Sequence, residues 1–361
     1  MLKKTLYILL ITSVLSSCMD DDSLWNIEKP GYPEFSSGVF IVNEGNMMYE
    51  NASLSYYNIE TKEIFNNVYF NTNALPLGDV AHSMTIHNEL GYVVINNSGR
   101  IYVFNVNTFE YVGKITGLTS PRYIHFINDS KAFITDIYAQ SIAIINPQTL
   151  EITGSIDVSN PESNFNQHPT EQMVQYDTYV FINCWSFDNK ILIIDTKTNQ
   201  WVDEIEVLIQ PNSMVLDKND KLWVLSDGGF EGNPFGHEAP GLIRIDAKSR
   251  EIEKIFRFEL NDYPRSLTIN GNKDTLYFIN RHVWQHAVHN DAQPEVFIQS
   301  PYSQNYSAGF YGLGIDPLSS EIYVADAIDF VQPGRVYRYS PSAIPIDTLK
   351  AGIIPRSFLF K

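Results

Sequence analysis

One local pattern recurs along almost the whole of this 361-residue chain, a polar turn set between two apolar β runs. Asn58-Ile59-Glu60-Thr61-Lys62-Glu63-Ile64 returns as Asn105-Val106-Asn107-Thr108-Phe109-Glu110-Tyr111 and as Asn146-Pro147-Gln148-Thr149-Leu150-Glu151-Ile152. It returns again as Asp195-Thr196-Lys197-Thr198-Asn199-Gln200-Trp201 and Asp246-Ala247-Lys248-Ser249-Arg250-Glu251-Ile252, with looser copies at 290–295 and 340–348. Such a turn, repeated at roughly forty to fifty residues, marks the blades of a β-propeller. The pattern predicts an all-β fold of about seven four-stranded blades. Function is then a question about loops.

Blade three shows the unit most fully. Segments 122–127, 131–136, 141–145 and 151–158 alternate apolar and polar residues or form short apolar runs, bounded by Pro, Gly, Asn or Asp. Blade two covers 80–115, blade four 171–207, blade five 211–258, blade six 264–298 and blade seven 311 to about 350. No linker interrupts them, so 36–361 is read as one domain. The first good strand, at residues 38–43, has the character of a second strand, which leaves blade one without an inner strand. Pro355-Arg356-Ser357-Phe358-Leu359-Phe360 matches Pro264-Arg265-Ser266-Leu267-Thr268-Ile269 and Pro121-Arg122-Tyr123-Ile124-His125-Phe126, and so supplies it. Closing the ring in this way removes two exposed sheet edges, and trimming the last residues should unfold the ring rather than fray an end.

At the N-terminus, Lys3 and Lys4 precede an apolar run at 6–15, too short to span a bilayer and suited to a signal peptide. Leu15-Ser16-Ser17-Cys18 resembles a bacterial lipoprotein signal, with an ordinary secretory cleavage site as the alternative. Residues 1–17 are therefore read as signal peptide, and 18–35 as a tether lipidated at Cys18. The run Asp20-Asp21-Asp22 is similar to the surface-export signal of Bacteroidetes lipoproteins, or else is a solvated spacer. The expected location is the outer membrane, lipid-anchored and facing the cell exterior. The chain carries a formal net charge of −17, more negative still once Lys3 and Lys4 are removed, which argues against nucleic-acid binding. After Cys18 only Cys184 remains, so no intramolecular disulfide holds the mature fold. Burial must do so, and with 44% hydrophobic residues it can.

In propellers the loops joining second to third strands, with the links between blades, build one face over the central channel. Here those loops are 44–52, 96–99, 136–140, 183–189, 226–241, 280–285 and 326–334. They are rich in aromatic residues, and amides and acids recur at the strand ends, at Asn43, Asn96, Asp136, Asn183, Asp227, Asn280 and Asp326. The combination suits a large, nearly neutral ligand with an apolar body and amide edges. The candidate ligand-binding set, chosen by loop position and residue type, is Tyr49, Asn96, Arg122, Tyr138, Glu171, Asn183, Trp185, Phe187, Phe235, Asn280, Trp284, Tyr311 and Asp326. Each has a structural alternative: strand-end amides and acids satisfy loop backbone, loop aromatics pack on neighbouring blades, and the repeated Pro-Arg pair serves the fold. The long Gly-rich loop 227–241 suggests a rim or lid. His282, His286 and His289 have a spacing that suits metal only on a helix, so no metal ligand is assigned. Glu44, Asn96, Asn183 and Asp326 could converge on a cation, as in lactonase-like propellers. No catalytic residue is assigned, and no Gly-x-Ser-x-Gly, P-loop or paired-cysteine zinc motif is present.

Several strings carry a resemblance. Leu77-Gly78-Asp79-Val80-Ala81-His82-Ser83-Met84, Ser120-Pro121-Arg122-Tyr123-Ile124-His125-Phe126 and Thr170-Glu171-Gln172-Met173-Val174-Gln175-Tyr176 are similar to the BtuG family of YncE-like propellers. So are Asn183-Cys184-Trp185-Ser186, the loop opening Asp227-Gly228-Gly229, and Tyr323-Val324-Ala325-Asp326-Ala327-Ile328-Asp329. The resemblance runs from about residue 24 to the end. It implies a surface lipoprotein of gut Bacteroides that captures cobalamin (vitamin B12) or related corrinoids and passes it to a TonB-dependent outer-membrane transporter of the BtuB type. Cobalamin would be cargo rather than a catalytic cofactor, since the Asp-x-His-x-x-Gly pattern of enzymes that replace its base is absent. No enzymatic activity is expected. The alternatives are a metal-dependent lactonase or hydrolase, and a structural or adhesive surface propeller.

Overall fold

The computed structural model describes residues 37–163, 165–302 and 309–361. The expected signal peptide 1–17, Cys18 and tether 18–35 lie outside the described residues.

The recurring turn has a local physical cause. At its first position the side chain of Asn58, Asn105, Asn146, Asp195 or Asp246 accepts the backbone N–H two residues on. The backbone carbonyl of the same residue accepts the N–H four residues on, from Lys62, Phe109, Leu150, Asn199 and Arg250. Those residues sit in the left-handed region, with φ of 61, 60, 60, 55 and 66°. In blades two to five the register between third and outer strands then slips by a bulge, at Val103/Phe104, Ile144/Ile145, Ile193/Ile194 and Arg244/Ile245. One five-residue unit thus ends the third strand, reverses the chain and twists the outer strand away.

The strands form seven four-stranded antiparallel sheets, the seven-bladed propeller expected. Six inner strands precede their blades: Ala81–His87, Pro121–Asn128, Thr170–Tyr176, Pro211–Leu216, Arg265–Ile269 and Phe310–Ile315. The seventh, Pro355–Phe360, pairs with Gly38–Asn43 from the other end of the chain, with Ile41 opposite Phe358, and closes the ring. The core is a set of seams between neighbouring blades. Phe181, Ile191 and Ile193 of blade four, for example, pack on Leu222, Val224 and Ile243 of blade five. A short helix, Val68–Asn73, links blades one and two, and Asn73 bonds the backbone of Phe109 and Tyr111.

One loop differs from its sequence expectation. Thr275–Asn280 and His282–Ala287 pair directly, Asn280 opposite His282, and only Arg281 (φ 58°) turns between them. Trp284, expected in a loop, is therefore a third-strand residue. Its ring packs beside Phe278 and Phe258, and its Nε1–H donates to the Asn280 carbonyl.

Candidate functional site

The starts of the inner strands meet at one end of the channel, around a cavity of about 480 Å³. Among the expected residues, the structure brings Arg122, Glu171, Trp185 and Tyr311 to this cavity. It adds Asn212, Asp227, Tyr263, Arg265 and Arg356, which the candidate set lacked. Arg265 and Arg356 were visible in sequence as copies of Arg122 in the Pro-Arg pair, and Asp227 as a strand-end acid.

The floor is charged and largely internally paired. Arg122 donates from Nε and Nη2 to Oε1 of Glu171, at 2.7 and 2.6 Å. Glu171 is buried, which opposes its ionisation, yet the charge of Arg122 beside it holds its carboxyl down to about 2. Arg356 pairs with Glu44, whose other oxygen accepts the Tyr311 hydroxyl at 2.7 Å. His82, wholly buried, sits 3.5 Å from Glu171, too far for a good hydrogen bond. Burial first, then the charges of Arg122 and Arg356, push its pKa down to about 3, so it is neutral. On the far wall Asp227 accepts Trp185 Nε1–H at 2.9 Å and the Gly229 N–H at 3.0 Å. Burial raises its pKa to about 6.

Above this floor lies an aromatic rim from the second-to-third loops and the blade links. Tyr49 and Tyr138 are 75% and 64% exposed, and Phe235 and Tyr263 are nearly half exposed. Phe187 joins Phe165 and Phe230 in a row, at ring separations of 5.2 and 6.3 Å. Contiguous aromatic surface, as in the Phe165–Phe187–Phe230 row, marks a contact surface.

The strand-end amides and acids do something else. Asn96 and Asn183 donate to the carbonyls of Pro121 and Pro211, the residues that open the next blade. Asn280 donates to Asp262, and Asp326 accepts Ile328 N–H and the Tyr337 hydroxyl. These four staple loops and blades, and none lines the cavity. Glu44, Asn96, Asn183 and Asp326 each hold separate partners. Loop 226–241 is pinned as well: Asn233 donates to Gln210, and Glu238 accepts Ile209 N–H while pairing with Arg257. It is a rim and not a free flap. Away from the channel, His168, Cys184 and Asp188 lie within 4.8 Å of one another, all buried, with His168 Nδ1 2.7 Å from Asp188. Burial pushes the Cys184 thiol's pKa well up, and its side chain packs in the apolar seam of blades three and four.

Fold and site together define a seven-bladed propeller with a polar, arginine-rich central cavity under an aromatic rim. The chain belongs to the family described as "Domain of unknown function (DUF5074)", whose model matches residues 37–340. No curated protein matches it. Among solved structures it is similar to a quinonprotein alcohol dehydrogenase-like protein of Bacteroides thetaiotaomicron, at 16% identity and TM-score 0.69, covering 90% of this chain and 78% of that one. It is also similar to a protein of Bacteroides uniformis described as a candidate 6-phosphogluconolactonase, at 13% identity and TM-score 0.61, covering 90% and 99%. A third is hydrazine synthase of Kuenenia stuttgartiensis, at 12% identity and TM-score 0.61, covering 76% and 88%. At these identities the likeness establishes the propeller fold.

Proposed function

We propose that this protein is a surface lipoprotein, anchored in the outer membrane through Cys18, that captures cobalamin or a related corrinoid and hands it to a TonB-dependent transporter of the BtuB type. The observation that carries this reading is the pairing of a ring of exposed aromatics with a polar cavity inside it. A corrin macrocycle is flat and apolar on its faces and edged with amides, and it is larger than the cavity. The ring would lie on the rim, against residues such as Tyr49, Tyr138, Phe187 and Phe235, while one arm enters the cavity. Trp185 joins the two zones, its indole lining the cavity and its N–H fixed on Asp227. Capture of intact cargo calls for binding and release and for no bond-breaking step.

The test is retention of the red pigment by purified full-length protein in gel filtration. Wild type should co-elute with cyanocobalamin. A Tyr138→Ala/Phe235→Ala double variant, altered only on the exposed rim, should lose at least tenfold in affinity, as expected for about 1.4 kcal/mol of lost aromatic contact. Full retention by the double variant would move the ligand off the rim. No retention by wild type would reject capture and return attention to lactone and ester substrates.

A further inference from the structure

Three arginines occupy equivalent places at the cavity, each following the Pro that opens an inner strand: Arg122, Arg265 and Arg356. Two are neutralised by buried carboxylates, Arg122 by Glu171 and Arg356 by Glu44. Register explains why the third differs. Thr170 pairs with Cys184 and Phe310 with Asp326, which puts Glu171 and Tyr311 at matching positions in the blades that follow Arg122 and Arg265. Where blade four offers a carboxylate, blade seven offers a phenol ring. The Arg265 guanidinium lies 5.4 Å from the centre of that ring and donates Nη2–H to the Phe310 carbonyl at 3.3 Å. Among the described residues it forms no ion pair. Tyr311 cannot turn to help, because its hydroxyl is held by Glu44.

Arg265 is thus a positive charge on a fixed aromatic shelf, open to the water of the cavity yet ringed by protein. In a chain of net charge −17 most of the surface repels anions. In the cavity Arg265 is the arginine without a carboxylate partner, and the carboxylate of Asp227 in the same lining is turned onto Trp185 and Gly229. A guanidinium with unspent N–H groups matches the paired oxygens of a phosphate or carboxylate.

We propose that Arg265 anchors a single anionic group of the ligand inside the cavity. Resting on corrinoid capture as proposed above, that group is the phosphodiester of the nucleotide arm. The arm enters the channel and sets the orientation of the ring on the rim. Selectivity among corrinoids then comes from the arm rather than from the macrocycle.

The experiment is a tryptophan-fluorescence titration of full-length wild type, Arg265→Gln and Arg265→Lys, with cyanocobalamin and with dicyanocobinamide, which lacks the phosphodiester. Arg265→Gln should weaken cyanocobalamin binding about 10- to 100-fold, the range for a charge-assisted hydrogen bond. Arg265→Lys should recover part of that loss, and cobinamide should bind wild type and both variants within about twofold of one another. Equal cyanocobalamin affinity in wild type and Arg265→Gln would overturn the anchor and leave capture standing. Equal losses for both ligands would also overturn it, by showing that Arg265 only supports the pocket. Should Arg265→Gln fail to fold, Arg265→Lys against the two ligands decides: a selective loss for cyanocobalamin supports the anchor, and none rejects it. Wild type that binds neither corrinoid would reject capture itself, and the anchor with it.

Discussion

Asp227 is the cavity residue whose chemistry is most exposed to pH. It is 8% exposed, and it takes its hydrogen bonds from neutral donors, Trp185 and Gly229. Burial holds its pKa at about 6, above its value in an unfolded chain. Between those two values the folded state binds the extra proton. Its contribution to stability is therefore full below about pH 4 and is lost as pH rises through 6. Asp227→Asn removes the titration but keeps one acceptor where Asp227 offers two, to Trp185 and Gly229, so it carries a fixed cost at every pH. In denaturant melts the stability of the variant relative to wild type should rise by about 2 kcal/mol between pH 4 and pH 7.5. A gap that does not change with pH would contradict the assignment. Glu171 runs the other way: held at about 2, it adds stability above its unfolded pKa that is lost as pH falls toward 2. At this scale the sequence was only partly legible. Arg122, Glu171, Trp185 and Tyr311 were placed at the cavity, but Asn96 and Asn183 were not distinguishable from ligand amides. An amide at a strand end reads the same whether it faces a ligand or staples Pro121 and Pro211 of the next blade.

The strands and turns were the most legible part, because each five-residue turn is decided locally. An Asn or Asp side chain accepts two residues on and a left-handed residue closes the loop, so pattern and structure coincide. The single-residue turn at Arg281 was missed for the converse reason. His282–Ala287 has strand residues immediately after the turn and no Gly or Pro to mark it, so Trp284 was read as loop. The strand Pro355–Phe360 was legible as a copy of two others, and it joins the chain's ends, with Phe358 and Phe360 packed beside Tyr323. Gly312 lets it approach: a Cβ there would stand 2.0 Å from the Arg356 carbonyl. Deleting 355–361 should abolish cooperative thermal unfolding, and Phe358→Ala should cost about 3 kcal/mol. A truncated protein that still melts sharply at the wild-type temperature would show that closure by this strand is dispensable.

For the whole molecule, closure rests on more than one strand. Buried Arg338 of blade seven donates to Tyr57 of blade one at 2.7 Å, and it pairs with Glu321 and Asp347 at 2.6 Å each. A ring closed by strand, aromatic contacts and this arginine is a stiff frame. Its loops can then hold a cavity open without ligand, which lowers the ordering cost of binding. The seven-fold architecture was legible in sequence, because repetition is a property of the chain. The cavity was less so, since it is made by residues far apart in sequence whose distance from the axis no single blade reveals. The most direct measurement is a calorimetric titration of the purified full-length protein with cyanocobalamin, in the presence and absence of a chelator. Capture predicts saturable one-to-one binding that the chelator leaves unchanged. An absence of heat at micromolar protein, or binding that the chelator abolishes, would contradict it.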